Sequence, residues 1–144
     1  MGKKRIIKKQ GSGVDSSLRN RALSKLTRRK LVTGTLYVQA TFNNTKLTLT
    51  DESGNAVLSS SSGALGFKGA KKGTPFAAAK VGEFIGEKAE QVGLKEVRVV
   101  VKGIGSGRES SIRAFSTKGI NISGIRDGTP MPHNGPRPRK ARRV

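Results

Sequence analysis

Nine carboxylates, one histidine and no cysteine are the whole supply of acid–base, nucleophilic and metal-ligating chemistry in this chain. Zinc sites, iron–sulfur clusters, disulfides and thiol catalysis lack their ligands, so no metal and no cofactor are expected. Glu83, Glu87 and Glu90 share a helix side at i, i+4, i+7 spacing, but that side faces away from the apolar residues and reads as a solvated acidic face. Asp51-Glu52 sits in a turn, whereas a two-metal nuclease needs carboxylates converging from several strands. His133 has no carboxylate at triad or ligand spacing, so a nucleic-acid contact or a solvated loop position suits it better than a general base. Catalysis is not expected.

The chemistry that remains is the binding of polyanions. Lys and Arg number 29 against those nine acids, a net charge of +20 on 144 residues, and nucleic acid is the leading partner for such a chain. The charge is unevenly placed. Residues 1–33 carry 11 basic side chains against Asp15 alone, and residues 133–144 carry five and no acid, while the intervening stretch has 13 basic and eight acidic residues. This divides the chain into a basic N-terminal arm (1–33), a central globular unit (34–128) and a basic tail (129–144). In the tail, Pro130, Pro132, Pro136 and Pro138 preclude helix and hold the chain extended, so that Arg137, Arg139, Arg142 and Arg143, with Lys140, can each reach a phosphate.

Two glycine-rich segments invite more specific readings. Gly103-Ile104-Gly105-Ser106-Gly107-Arg108 has the setting of a dinucleotide fingerprint, with Asp127 near the distance of a ribose acid, but Arg108 replaces the third glycine. Two alternatives stay open, a structural turn and a helix N-terminus whose amides, with Arg108 beside them, hold a backbone phosphate. Lys72-Gly73-Thr74-Pro75-Phe76 opens like the aromatic strand of an RNA-recognition fold, yet Thr74 stands where the aromatic belongs. With five Phe and one Tyr in the chain, and Phe42, Phe76, Phe84 and Phe115 fitting core positions, base stacking is not the expected main mode; phosphate and shape recognition is.

The elements that position these residues are legible as periodicity. Leu36, Val38, Ala40 and Phe42 alternate with Thr35, Tyr37, Gln39 and Thr41, the period of a half-buried strand, and Asn43-Asn44 turns the chain into Lys46 to Thr50. Ala56 to Ser59 completes an antiparallel meander. Ser59 to Gly73 reads as a flexible loop carrying Lys68, Lys71 and Lys72. Thr74-Pro75 then opens a helix to about Val92, with Phe76, Val81, Phe84, Ile85, Ala89 and Val92 inward, Gly93 as its stop, and Gly82 and Gly86 allowing close approach to a sheet. Val97 to Val101 is β-branched enough for a central strand covered on both faces. Ser106 and Glu109 form a capping box for a second helix with Ile112 and Phe115 inward, ended by Gly119, and Ile120 and Ile122 begin a last strand. The sum is an α/β unit with a mixed sheet, three meander strands plus parallel ones, and two packed helices. In the N-terminal arm, Leu18, Ala22 and Leu26, with Ser16 or Ser17 as N-cap, suggest a short helix. No run approaches the roughly 18 apolar residues of a membrane span, and the start lacks a secretion signal, so an intracellular protein is expected.

From about Gly34 to Val144 the sequence resembles the small-subunit ribosomal protein of the universal eleventh family in its bacterial or organellar form. The resemblance runs through Phe42-Asn43-Asn44-Thr45, Gly66-Phe67-Lys68-Gly69, Thr74-Pro75-Phe76-Ala77-Ala78, Gly107-Arg108-Glu109-Ser110, Ile112-Arg113-Ala114 and Pro132-His133-Asn134-Gly135. Ile104 and Ser106 stand where that family usually has prolines, and Lys68 where Arg is usual. The resemblance implies a ribonuclease-H-like fold without nuclease chemistry, seated on the platform of the small subunit and bridging ribosomal RNA helices. It also implies a place beside the cleft where the messenger's leader pairs, neighbours in the seventh and eighteenth small-subunit proteins and initiation factor three, and residence in cytoplasmic or organellar ribosomes. Charge placement and motifs together nominate four sets of RNA contacts. These are Asn43, Asn44, Thr45 and Lys46 at the hairpin tip; Lys68, Lys71 and Lys72; Gly105, Ser106, Gly107, Arg108 and Arg113; and His133, Asn134, Arg137, Arg139, Lys140, Arg142 and Arg143 in the tail. A metal-dependent nuclease and a nonspecific packaging or membrane-surface protein are the rivals, disfavoured by the missing acidic cluster and the proline-rich tail.

Overall fold

A computed structural model describes residues 30–141. The elements are β1 (Thr33–Ala40), β2 (Thr45–Thr50), β3 (Ala56–Ser61), a 3-10 turn (Gly69–Gly73), α1 (Pro75–Val92), β4 (Glu96–Lys102), α2 (Gly107–Ser116) and β5 (Asn121–Asp127). The strands form one sheet in the order β3-β2-β1-β4-β5. The meander pairs antiparallel, while β1–β4 and β4–β5 are parallel. This is the mixed α/β architecture expected from the periodicity. The expected arm helix around Leu18, Ala22 and Leu26 lies outside the described residues, as do Arg142 and Arg143.

Register follows from the period-two pattern. Leu36 lies opposite Leu49 and Val99, and Val38 opposite Leu47 and Val101, so the six side chains form two rows on one face, all buried. A slip by one residue would turn both rows to solvent, which is why the pairing is unique. Val81, Ile85 and Ala89 of α1, with Phe115 of α2, close over these rows. Thr74 caps α1, its Oγ1 accepting from the N–H of Ala77 at 3.3 Å. At the other end Gly93, at φ 89°, and Leu94 donate to the carbonyls of Glu90 and Ala89, a Schellman termination.

Both helices lie on the same face, α1 over β2 and β3 and α2 over β1, packed against each other. The reason is topological. The crossovers β3–α1–β4 and β4–α2–β5 move in the same direction across the sheet, so connections of one hand deliver both helices to one side. The expectation for β4 is corrected accordingly. Val97, Val99 and Val101 are buried but Arg98 and Lys102 are exposed, so β4 is covered on one face only, and β1 is the central strand.

Four further expectations change. Gly82 and Gly86 bring α1 against α2 rather than the sheet: a Cβ on Gly82 would lie 2.3 Å from the carbonyl oxygen of Ser111, and one on Gly86 2.7 Å from Cγ of Lys118. Phe42 and Phe76 are not core residues. Phe42 falls beyond the end of β1, where the alternation stops, and is 73% exposed; Phe76 sits in the first turn of α1, 65% exposed, its ring edge-on to Phe67 at 6.2 Å. The segment after Ser59 is built rather than a flexible loop. The strand continues to Ser61, the buried Ser62 donates its N–H to Thr45, and Leu65 and Phe67 bond back to Ser61 and Ser62 before the 3-10 turn. The capping box does not form, because Ser106 is already helical at φ −66°, ψ −12° and its hydroxyl donates to the carbonyl of Gly73 at 2.9 Å.

Candidate nucleic-acid interface

Because β1, β3, β4 and β5 run parallel in space, their carboxyl ends share one edge of the unit, the position where open α/β sheets place their ligands. The Thr41–Asn44 turn, the lysine segment after β3, the Gly103–Ser106 loop and the start of the tail all emerge there. Three segments remote in sequence are thereby joined. The N–H of Gly105 donates to the carbonyl of Ala40 at 3.0 Å, and Ser106 reaches Gly73. A Cβ on Gly73 would lie 2.1 Å from the carbonyl oxygen of Phe42, and one on Gly107 2.3 Å from Oγ1 of Thr45. The glycines serve as packing points where backbones meet.

That settles how several nominated residues are used. Gly105 and Gly107 are buried and the Gly105 amide donates to Ala40, so that amide serves the turn itself and is not open to a phosphate. Thr45 departs from its expectation as well, being fully buried with its Oγ1 against Gly107. Asn43, Lys46, Lys68 and Lys71 are exposed, and Asn44 and Lys72 are half-buried. The turn that presents Asn43 is closed by Thr41, whose N–H and hydroxyl both donate to the carbonyl of Asn44 at 2.9 Å. Arg113 is exposed on the flank of α2, in a groove of about 470 Å³ that also holds Glu83 and Glu109. From His133 to Lys140 the tail is exposed and without regular structure, with Asn134 at φ 63°.

Arg108 is engaged within the fold. Its Nη2 donates to Oδ2 of Asp127 at 2.6 Å and its Nη1 to the carbonyl of Gly103 and, at 3.5 Å, to Oγ1 of Thr129. Thr129 in turn donates its hydroxyl and its N–H to Oδ1 of Asp127 at 2.6 and 2.9 Å, and accepts from the N–H of Gly103 at 3.2 Å. These contacts form a latch. It fastens the loop after β4 to the end of β5 and sets the direction in which the tail leaves the sheet. Asp127, read as a remote ribose acid, is the latch's anion.

The model of the family described as ribosomal protein S11 matches residues 34–143 of the chain. The chain belongs to the ribosomal protein S11 family. It is 57% identical over 117 residues to the small ribosomal subunit protein uS11 of Treponema pallidum (strain Nichols), covering 81% of this chain and 93% of that one. It is 50% identical over 126 residues to the uS11 protein of Solibacter usitatus (strain Ellin6076), covering 88% and 93%. The S11 family is structural and non-enzymatic, and the role of this chain is a ribosomal one. Among the described residues, no three His, Asp or Glu side chains gather closely enough to hold a metal ion, and no helix is long and apolar enough to cross a membrane.

Within this S11-family unit the latch has a pH signature. The Thr129 hydroxyl, then the Arg108 guanidinium and the Thr129 N–H, stabilise the ionised form of Asp127 and hold its carboxyl far below the usual carboxylate range. A group depressed in the folded state contributes stability that is complete above its unfolded pKa of about 3.9 and is lost only as pH falls toward the lower folded value. In a ¹³C titration the Asp127 carboxyl stays ionised at about pH 3, where an ordinary Asp is mostly protonated. A midpoint near that of free Asp rules the latch out in solution.

Proposed function

We propose that this chain is a structural constituent of the small ribosomal subunit that sits on the platform and bridges segments of small-subunit ribosomal RNA. In this reading it helps form the cleft in which the messenger's leader pairs, within ribosomes of the cytoplasm. The observation that carries the reading is the gathering of Asn43, Lys46, Lys68, Lys71 and Lys72 at one edge of the sheet, beside the latch that launches the arginine tail. Phosphate contacts from that edge and from His133, Asn134, Arg137, Arg139, Lys140, Arg142 and Arg143 orient the protein on RNA, with Arg113 and the 1–33 arm as further contacts. The seventh and eighteenth small-subunit proteins and initiation factor three are the proposed protein neighbours.

The test is binding of the purified protein to platform RNA and to an unrelated RNA of equal length across a salt series. Six to ten neutralised phosphates lower affinity by roughly a thousandfold or more between about 50 and 200 mM salt on both RNAs. The expected result is a preference for platform RNA that persists at physiological salt, since shape is read by the rigid edge and not by charge alone. Equal binding to both RNAs throughout makes the chain a polycation and overturns the platform assignment.

A further inference from the structure

We infer that the open face of the sheet is a second RNA-contact surface, shaped for the backbone and shallow groove of an RNA helix. The inference rests on the RNA-binding reading above and extends it to a face on the other side of the sheet from both helices.

Register puts the face's chemistry in rows. Lys46, Gln39 and Lys102 lie side by side on β2, β1 and β4. The next outward-facing row is Thr48, Tyr37, Val100 and Arg126, on β2, β1, β4 and β5. Lys46 and Lys102 flank β1, about 10 Å apart at two strand spacings, and Arg126 stands one strand beyond Lys102 and one row down, about 7 Å along the sheet. All three cations are exposed, and Tyr37 is 38% exposed at the centre of the sheet. The aliphatic stem of Lys102 packs over Gly128, whose Cβ position is 3.5 Å from its Cε, so the departing tail braces this lysine over the face.

Alternation of polar and apolar residues is what any one-sided sheet shows. Here the outward set is cationic without compensating acid. Neither row contains a carboxylate; Glu52 and Glu96 lie at the far end of the face, around a recess of about 400 Å³ with Arg98 and Thr33. The positive part of the face therefore runs continuously into the cationic edge already described. The hydroxyls of Thr48 and Tyr37, each able to donate and accept, suit ribose 2′-hydroxyls in the wide groove of an A-form helix, with the cations on flanking phosphates. A protein partner fits worse. The cores of protein interfaces are depleted in lysine, and the only aliphatic hydrocarbon side chain in the two rows is the half-buried Val100.

The test uses the full-length protein and an RNA duplex of about 20 base pairs, longer than the roughly 16 that a double-stranded-RNA domain spans. In the combined variant Lys102→Gln, Arg126→Gln, which leaves Lys46 and the rest of the edge intact, two lost phosphate contacts reduce the slope of log K against log salt by about 2. That weakens binding roughly thirtyfold at 0.15 M salt, with the curves meeting near 1 M. The reference variant Arg137→Ala, Arg139→Ala keeps the face and shortens the tail's reach. If the face variant binds with wild-type affinity and slope while the reference variant is weakened, the RNA reading stands and the face is not part of it. If the wild-type protein shows no salt-dependent affinity for RNA, both fall. Independently of folding, Lys102 of the wild-type protein becomes several-fold slower to acetylate when the duplex is added. Unchanged rates overturn the inference, and so does protection in whole subunits that survives RNA digestion, which assigns the face to a protein.

Discussion

Gly103→Ala lowers the melting temperature by roughly 10–20 °C, whereas Gly119→Ala costs about half as much or less. Both glycines have positive φ, 97° and 77°, so in each case an L side chain incurs the left-handed penalty of about 1–2 kcal/mol. Only at Gly103 is the space filled: a Cβ there would lie 2.1 Å from the carbonyl oxygen of Ala40, while nothing lies within 4 Å of one on Gly119. The Ala40 carbonyl cannot retreat freely, because it accepts the Gly105 N–H that ties the loop to β1. Overpacking of this kind adds about 1–3 kcal/mol. Gly103 also donates to Thr129 and accepts from Arg108, so its displacement loosens the latch. Thermal melts of the two variants decide the matter, and equal losses sink the argument that backbone crowding is what glycine relieves at this position.

Replacing Arg137, Arg139, Arg142 and Arg143 with Ala weakens binding to small-subunit RNA several hundredfold at 0.15 M salt and prevents stable assembly into subunits. Four phosphate contacts correspond to a reduction of about 3 in the salt slope, and the loss is electrostatic, so it vanishes near 1 M salt. No compensating loss of stability accompanies it, since the described part of the tail beyond Asn134 is exposed and contributes nothing to the core cluster. Affinity measured against salt, with a melt as control, separates the two effects. Normal assembly of the fourfold variant removes the tail from the proposed function.

How much of this was legible before any coordinates depends on the range of the interaction concerned. Alternation from Leu36 to Ala40, the Asn43-Asn44 turn, the Thr74-Pro75 start and the Gly93 stop are encoded in neighbours one to four residues apart, and all stand in the structure. Family membership was legible for the same reason, in short contiguous motifs. Phe42 and Phe76 misled because apolar character predicts burial only while an element lasts and something lies above it. Both sit at element ends, where too little lies above them to cover the ring.

The sequence by itself determined the strand and helix periods, the separation of a mixed-charge centre from two basic ends, and a chemistry with one histidine and no cysteine. Tertiary structure alone decided the rest. That both helices cover one face, leaving Lys46, Lys102 and Arg126 on the other, follows from crossover direction, a property of strand order and not of any local window. That Arg108 meets Asp127 depends on the first turn of α2 and the end of β5, 19 residues apart in the chain, arriving together, and that Gly105 and Gly107 are packing points depends on β1 and β2 arriving beneath them. Composition determines which charges a chain carries, and the packing of distant segments determines which of them already have partners and which remain turned toward another molecule.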